Sequence, residues 1–571
     1  MTLTATPPAE IHGAHAVPDV DVGAAPVVVP ESLFTTSDHK RLGRYYLVVA
    51  TLFVLVSAVV GVILEIQLTS SGSKIVGNDY DRLFNLHSTV GALLFLPALF
   101  IGLGTYIVPL QIGSRRLAFP RLAALAFWSY VIGGLLLVAS YAFGKPNGWG
   151  IAYSVAPPVV KGVSRATDAW VAAMALITVA FVLASAALFV TVLKLRADGM
   201  TMSRVPAFSW SVLAVSAATL LTGPVFLAGL LILYIDQHFA GGALARTQGG
   251  SNLVWQHLIW MYGRPDVYLV VVPCLGALTD IVATHSRRPL LQPVVAKGLI
   301  FAAAVLSFGI LAANASVERA ALIPTPSVLS VAIVVPVGLI ALLWLGTIRP
   351  NAMRPHVSVI YLIGFLLFLV AGAVNAVIAP SQHLVGGLNG SEWTVGQVHA
   401  VLFAAPALAA FAAIYHWSPK IWGKGLNQLL GVIQWLALVG GFGLTSLGAW
   451  LAGYDGAPWH RDDYLGRAGK ALGWTGHFHT YAGLASVGGV LVTLGLVIFL
   501  ANVAMTERSV RRSSAQDRPA DPYEGSTLEW ATSSPPPDDN FDVLPEIRSD
   551  APLADARRLA GATATSERGG A

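Results

Sequence analysis

The feature that most limits the fold is a series of apolar blocks, each about 20 residues or longer, between residues 45 and 503. A helix of about 20 residues crosses a hydrocarbon core about 30 Å thick. Charged residues make up only 11% of the chain, whereas a soluble domain carries about 25%. The sequence therefore predicts an all-α integral membrane protein.

The blocks predict twelve transmembrane helices. They lie near 45–67, 86–109, 122–144, 169–193, 208–234, 254–283, 292–313, 324–347, 357–379, 395–416, 428–453 and 475–503. Lys and Arg concentrate in the two flanking segments and the even-numbered loops, whereas the loop at 380–394 has neither. Because basic loops stay on the cytoplasmic side, we expect both termini in the cytoplasm and a multi-pass protein of the cell membrane.

Three regions follow from this reading. Residues 1–32 lack a basic segment followed by an apolar core, and we expect a disordered N-terminal tail rather than a signal peptide. Residues 33–504 form the membrane domain, and 505–571 form a polar, largely disordered cytoplasmic tail. Cys274 is the one cysteine, which excludes internal disulfides and thiolate metal clusters. The basic residues follow a topology pattern rather than a patch, so no nucleic-acid partner is expected.

Two histidines lie inside predicted helices at matching depth. His87 follows the start of the second span by about a turn, and His399 follows the start of the tenth in the same way. Two imidazoles at one depth can ligate a single haem iron from opposite faces and leave no open coordination position. The alternative interpretation is that each is a satisfied polar residue at a helix end, and the pattern alone favours it. The competing candidates are His257, His416, His477 and His479.

Five ordered motifs over residues 33–545 carry a resemblance. They are LFTTSDHKRLGRYY (33–46), IGLGTYIVPLQIGSRRLAFPRLAALAFW (101–128), WQHLIWMYGRPDVY (255–268), YHWSPKIWGKGLN (415–427) and STLEWATSSPPPDDNFDVLP (526–545). Together they resemble subunit I of the haem-copper terminal oxidases, the cytochrome c oxidase subunit I family. The resemblance implies a twelve-helix bundle, and it implies that His87 and His399 are the axial ligands of a low-spin haem. Arg461 would pair with a haem propionate.

The resemblance fails at the oxygen-reducing site. The family's ligand to the oxygen-binding haem corresponds to Gln397, and a glutamine amide is a feeble iron ligand. The three copper-ligand histidines correspond to Arg264, Ala313 and Asn314. A protonated guanidinium has no lone pair for a metal. We therefore expect a degenerate active site with no catalytic residue, one haem and no copper.

Other family positions are also replaced. The proton-path aspartate and lysine correspond to Arg116 and Ile340, and the glutamate gate corresponds to Asp266. The arginine that contacts the formyl group of haem A corresponds to Glu65, which leaves haem B or haem A open. Arg264 would occupy the place of a copper cation, and we interpret it as a buried charge substitution that involves Asp266 or another carboxylate.

Three functions follow from these residues. The first is a divergent subunit I-like protein that binds one bis-histidine haem and transfers electrons in or beside an aerobic respiratory chain. The second is a functional terminal oxidase that reduces O2 to water and translocates protons. The third is a non-catalytic assembly or regulatory paralogue. Subunit II- or III-like partners and an external electron donor are compatible with all three. A transporter is a fourth alternative, although no inverted repeat is apparent.

Overall fold

The computed structural model describes most of the chain. The described residues are 36–69, 75–76, 79–144, 164–239, 242–244, 250, 254–255, 258, 266–308, 332–348, 353, 355–378, 388, 391–458, 477–514 and 518–569. Within them the structure is helical, and the one β-bridge joins Ser391 to Pro458. The expectation of an all-α protein is met in this part of the chain.

Fifteen α-helices are described. They are α1 (His39–Gln67), α2 (Tyr80–Leu94), α3 (Leu96–Gln111), α4 (Pro120–Ser140), α5 (Arg165–Lys194), α6 (Ala207–Phe239), α7 (Val272–His285), α8 (Pro293–Ser307), α9 (Val334–Thr347), α10 (Val357–Ile378), α11 (Glu392–Val398), α12 (Ala405–Trp422), α13 (Gln428–Tyr454), α14 (Phe478–Arg511) and α15 (Pro552–Gly569). π-Helical turns precede α7 at Asp266–Val271 and join α11 to α12 at His399–Ala404.

Nine helices in the described part of the chain are long and apolar enough to cross a membrane. They cover His39–Gln67, Tyr80–Gln111, Pro120–Phe143, Arg165–Lys194, Ala207–Phe239, Val357–Val374, Glu392–Trp422, Gln428–Tyr454 and Phe478–Arg511. Three shorter apolar helices, Leu269–His285, Pro293–Ser307 and Val334–Thr347, coincide with the sixth, seventh and eighth predicted spans. The number of twelve spans stays a prediction, since the described parts of these three helices are shorter than a bilayer requires.

Close helix packing depends on small residues where α1 crosses α3. A Cβ atom on Gly43 would lie 2.8 Å from the Gly102 carbonyl oxygen, and one on Gly102 would lie 2.6 Å from the Tyr46 Cβ atom. Small residues at helix crossings in membranes let two backbones approach closely. The crossing holds α1 against α3, which is buried along its whole length, and so fixes the helix that carries one wall of the site described below.

The described C-terminal segment, residues 518–550, differs from the expected unstructured tail. Its side chains of Leu528, Trp530, Phe541 and Ile547 are buried in the hydrophobic core. The last long helix continues to Arg511 and a further helix spans Pro552–Gly569. The apolar residues are too widely spaced along a polar, proline-rich stretch to form a periodic pattern, and this spacing hid their packing role in the sequence.

Two buried lysines bind this C-terminal segment. Lys420 Nζ donates to the carbonyl oxygens of Ala520 (2.7 Å) and Thr532 (2.6 Å). Lys40 Nζ donates to those of Pro537 (2.7 Å) and Asp538 (2.8 Å). An ammonium group has three donors, and its burial is costly unless they are satisfied. An irregular backbone supplies the acceptors, because its carbonyl groups are not used within a helix.

A buried acid completes the same contact. Glu529 Oε1 accepts hydrogen bonds from Gln111 Nε2 (3.2 Å) and Trp417 Nε1 (3.3 Å), and burial raises the pKa of this carboxyl group. Gln111 Nε2 also donates to Asp280 Oδ2 (2.9 Å), whose other oxygen accepts from the backbone N–H of Ala207 at the start of α6 (3.1 Å). The C-terminal segment is thereby joined to α3 and α12 and, through Asp280, to α7 and α6.

Replacement of Trp530 by alanine is expected to loosen the C-terminal segment. Trp530 is 2% exposed and its ring packs against Tyr523 and His416. Removal of a buried tryptophan costs about 3–5 kcal/mol. We expect faster proteolytic cleavage between residues 513 and 550 in detergent, measured by gel and mass spectrometry. Val543 is 81% exposed, so Val543→Ala is the control and should leave the cleavage rate unchanged. Equal rates for Trp530→Ala and the parent protein would contradict the packing role.

Candidate functional site

The structure brings the rings of His87 and His399 together. Their centroids are 6.0 Å apart and their planes differ by 18°. His87 lies seven residues after the first residue of α2, and His399 lies seven residues after the first residue of α11. With a rise of 1.5 Å per residue, the two imidazoles lie at the same depth below their helix starts, as the sequence predicts.

The separation of the rings suits one metal ion between them. Two metal–nitrogen bonds of about 2 Å, with about 1 Å from each nitrogen to its ring centre, separate the centroids by roughly 6 Å. Rings in direct contact would lie closer than this. The two helices therefore hold the imidazoles at the spacing of a pair of axial ligands.

Backbone carbonyl groups orient both imidazoles. His87 Nδ1 lies 2.8 Å from the carbonyl oxygen of Ser57 on α1, and His399 Nδ1 lies 2.9 Å from that of Val395. A carbonyl oxygen can only accept, so each Nδ1 carries the proton and each Nε2 keeps its lone pair. Metal-bound histidines usually donate their second ring N–H in this manner. The Ser57 hydroxyl adds a bond to the His87 carbonyl oxygen at 2.8 Å.

Glycine makes room for the His87 ring. A Cβ atom on Gly61 of α1 would lie 2.7 Å from His87 Cε1 and 3.0 Å from Nδ1. Contacts below 3.0 Å force a shift of one group. Gly91 has a similar role, because its Cβ atom would lie 3.1 Å from the Ser57 Oγ atom and 3.3 Å from Phe403. Ser57, Gly61 and Val395 were not found from the sequence, since neither a backbone acceptor nor an interhelical approach leaves a local motif.

The two histidines line an apolar cavity that is partly open. Its walls come from α1, α2, α3, α11, α13, α14 and both π-helical turns. The aliphatic and aromatic lining includes Val54, Leu64, Phe84, Phe95, Leu96, Val395, Leu402, Phe403, Phe442 and Val492. Ligand pockets for large organic groups are concave and mostly apolar with a few placed polar groups. A flat apolar macrocycle fits this lining, and the two free Nε2 atoms fit an iron at its centre.

Two carboxyl groups, Glu65 and Glu392, also line the cavity. Lys and Arg are absent from its lining in the part of the chain that the structure describes. Arg461, the expected propionate partner, lies outside the described residues. The described wall is therefore acidic where the resemblance predicted a cation.

The positions expected to have lost oxygen-site ligands are only partly described. Arg264, Ala313 and Asn314 lie outside the described residues, and Asp266 is described by its backbone alone, as the first residue of a π-helical turn. Gln397 precedes His399 by two residues, and its buried Oε1 atom has no hydrogen-bond partner within the described structure. Gln397 is not among the described residues that line the cavity around His87.

The competing histidines lie elsewhere. His416 Nδ1 contacts His285 Nε2 at 3.2 Å, near the far ends of α12 and α7. His479 Nδ1 contacts the Leu68 carbonyl oxygen at 3.2 Å, and His477 precedes α14. His257 lies outside the described residues. Within the described chain, neither His416, His477 nor His479 lines the cavity between His87 and His399.

Known proteins are similar in sequence to this chain over most of its length. The family described as Cytochrome C and Quinol oxidase polypeptide I matches residues 41–491. This chain belongs to that family. Subunit I of the haem-copper oxidases is thus the family of this chain, as the five motifs predicted.

Relatives and a solved structure agree with the family. The chain is 34% identical to the "Putative cytochrome c oxidase subunit 1-beta" of Streptomyces avermitilis, over 92% of each chain. It is 32% identical to the cytochrome c oxidase subunit 1 of Corynebacterium glutamicum, over 91% of this chain and 88% of the relative. A solved heme-copper terminal oxidase dimer superposes with a TM-score of 0.68 at 16% identity, over 82% of this chain and 84% of that chain. This likeness supports the fold of the oxidase subunit I family.

A methyl group at Gly61 is expected to displace the His87 ring. In Gly61→Ala the added Cβ atom would lie 2.7 Å from Cε1, so the ring must move away from its axial position. We expect a several-fold lower haem-to-protein ratio in the purified protein, measured by haem extraction. In Gly443→Ala the added atom meets nothing within 4 Å, and this variant should keep the parent ratio. A full haem complement in Gly61→Ala would contradict the described approach of α1 to His87.

Proposed function

We propose that this chain binds one low-spin haem through His87 and His399 and transfers electrons in or beside an aerobic respiratory chain. The observation that carries the proposal is the pair of facing imidazoles, 6.0 Å apart, with both Nδ1 atoms bonded to backbone carbonyl groups. Two nitrogen ligands occupy both axial positions of an iron, which suits one-electron transfer and leaves no position for O2. When bound, the haem would supply the reversible one-electron chemistry.

The residues of this chain would then orient and insulate the group. Ser57 and Val395 hold the tautomer that exposes Nε2, and hydrogen bonds of this kind raise the basicity of the ligand nitrogen. The aliphatic lining excludes water from the macrocycle. Rigid ligands on packed helices keep the coordination the same in both oxidation states, so that little rearrangement accompanies each electron.

The residues at the positions of the family's oxygen-reducing site support the absence of copper. The positions that correspond to the family's copper ligands are Arg264, Ala313 and Asn314, and the oxygen-site haem ligand corresponds to Gln397. None of these side chains supplies the imidazole nitrogen that copper or haem iron takes in the family. We infer one haem of type B or A, no copper, and no catalytic residue for O2 reduction.

The proposed setting is the bacterial cell membrane. Nine described helices are long enough to span it, and with the three shorter apolar helices the chain would cross twelve times and keep both termini in the cytoplasm. We propose subunit II- or III-like proteins and an external electron donor as partners. The name cytochrome c oxidase subunit 1, carried by relatives of this chain, denotes one subunit of a larger enzyme.

A working terminal oxidase is the second candidate, and the relatives favour it. Proteins named cytochrome c oxidase subunit 1 are 31–32% identical to this chain over about nine-tenths of its length. A third candidate is a non-catalytic assembly or regulatory paralogue. The first requires a CO-insensitive haem, the second a CO-reactive haem with copper and O2 consumption, and the third no stoichiometric haem at all.

Absorption spectra distinguish the candidates. We expect the purified protein to give a reduced-minus-oxidised spectrum of a six-coordinate haem that CO does not change, with one haem and no copper per chain. His87→Ala and His399→Ala should each abolish this spectrum, because a single imidazole leaves the iron five-coordinate. His479→Ala is the control, since His479 lies outside the cavity, and it should retain the parent spectrum. Stoichiometric copper or rapid O2 consumption would overturn the proposal.

A further inference from the structure

One ionisable side chain in the cavity has no role in the proposed ligand set. Glu65 lies on α1, one helical turn beyond Gly61, the residue in contact with the His87 ring. Its carboxyl group is half-buried and lines the cavity wall. In the described part of the chain, no side chain or backbone group forms a hydrogen bond or an ion pair with it. An ionisable residue inside a membrane is costly to keep and usually marks a functional position.

Among the residues that the structure describes, the groups that line the cavity with Glu65 do not include a lysine or an arginine that could neutralise it. Tyr80 and His87 on α2, Glu392 on α11 and His399 in the π-helical turn line the same cavity. On α14, which packs against α1, His479 bonds to the Leu68 carbonyl oxygen. On α2, Arg82 is bound to Asp79 at 2.9 Å. The remaining ionisable groups on α3, α4 and α14 do not line the cavity; they are Tyr106, Arg121, Tyr130, Tyr481, Glu507, Arg508 and Arg511. Arg82 is likewise outside the lining.

Charge compensation then links the protonation of Glu65 to the oxidation state of the haem iron. An unpaired carboxylate in an apolar wall lacks the solvation that water would give it. Reduction of a haem held by His87 and His399 would remove one positive charge from the same cavity, because the iron changes from ferric to ferrous. In a medium of low dielectric constant, loss of this charge removes a strong attraction for the carboxylate. Binding of one proton to Glu65 would restore the positive charge that is lost on reduction.

We propose that Glu65 binds a proton when the haem held by His87 and His399 is reduced, and releases the proton when the haem is oxidised. The inference rests on the proposed function. In the forward step a one-electron reductant would give one electron to the haem, and one hydronium ion of the aqueous phase would give a proton to the Glu65 carboxylate, so that an O–H bond of hydronium breaks, the carboxyl O–H bond forms and a water molecule remains. The oxidised reductant leaves, and the net charge of the cavity is unchanged. Electron transfer through this chain is thereby coupled to movement of one proton.

The test is a redox titration of the haem-loaded protein over a range of pH. For a one-electron couple, a tenfold change in an equilibrium constant corresponds to 59 mV. We expect the midpoint potential of the parent protein to fall by up to that amount per pH unit over part of the range. Glu65→Gln removes the proton-binding group and should flatten this dependence. Glu65→Asp keeps a carboxyl group and should retain it.

Asp455→Asn is the control. Asp455 directly follows α13, accepts a hydrogen bond from the Tyr481 hydroxyl at 3.1 Å and does not line the cavity. Its variant should keep the pH dependence of the parent. A parent potential that does not vary with pH, or a slope that survives in Glu65→Gln or is lost in Asp455→Asn, would overturn the inference. Each of these outcomes is observed on a protein with an intact six-coordinate spectrum, so that it is distinct from failure of the proposed haem site.

Infrared spectroscopy gives a second readout if Glu65→Gln does not retain haem. Reduction of the parent protein should produce a C=O stretching band of a protonated carboxyl group that shifts in D2O. The band should persist in Asp455→Asn and move in Glu65→Asp. A redox difference spectrum of the parent protein without a carboxyl band would contradict the proposal.

Discussion

The hydrogen bonds from two imidazole Nδ1 atoms to backbone carbonyl oxygens determine the character of the site. A free histidine can use either nitrogen and can rotate, but a ring bonded to Ser57 or Val395 through Nδ1 can only offer Nε2. One acceptor belongs to α1, a different helix from the ring that it holds, whereas the other belongs to the turn before His399. The position of α1 is set by its close crossing of α3 at Gly43 and Gly102. Ligand orientation in this chain thus depends on helix packing as much as on the histidines.

The sequence was sufficient for the parts of the structure that follow from helix geometry. His87 and His399 could be paired because each lies near the start of an apolar helix that enters from the same side, and depth in a membrane is a linear function of sequence. The bounds of the nine long helices followed from hydropathy to within about six residues, except that the last helix ends at Arg511, beyond the predicted end at 503. Gly61 could not be linked to His87 in this way, because it lies 26 residues earlier on another helix and its role appears only when the two helices cross. The acceptor carbonyl groups carry no side-chain signature.

The C-terminal segment could not be predicted for a different reason. Its composition is that of a solvated tail, with Pro, Ser and Asp throughout residues 532–542. Composition measures the side chains, whereas this segment contributes chiefly carbonyl oxygens to Lys40 and Lys420. The sequence signal for this contact lies on the lysines. Two lysines at the ends of apolar helices need hydrogen-bond acceptors, and a stretch without regular secondary structure has free carbonyl oxygens. Trp530 then fills the space beside Tyr523 and His416.

The contact between the start of α1 and the C-terminal segment has a consequence for biosynthesis. His39 and Lys40 open the first helix, and both contact Asn540, which is translated some five hundred residues later. Until the ribosome has released nearly the whole polypeptide, these two side chains lack their final acceptors. The first helix to enter the bilayer is therefore among the last to be completed. A chain shortened by a late stop codon would keep its predicted membrane helices, but the Lys40 ammonium group would lack the acceptors of Pro537, Asp538 and Asn540.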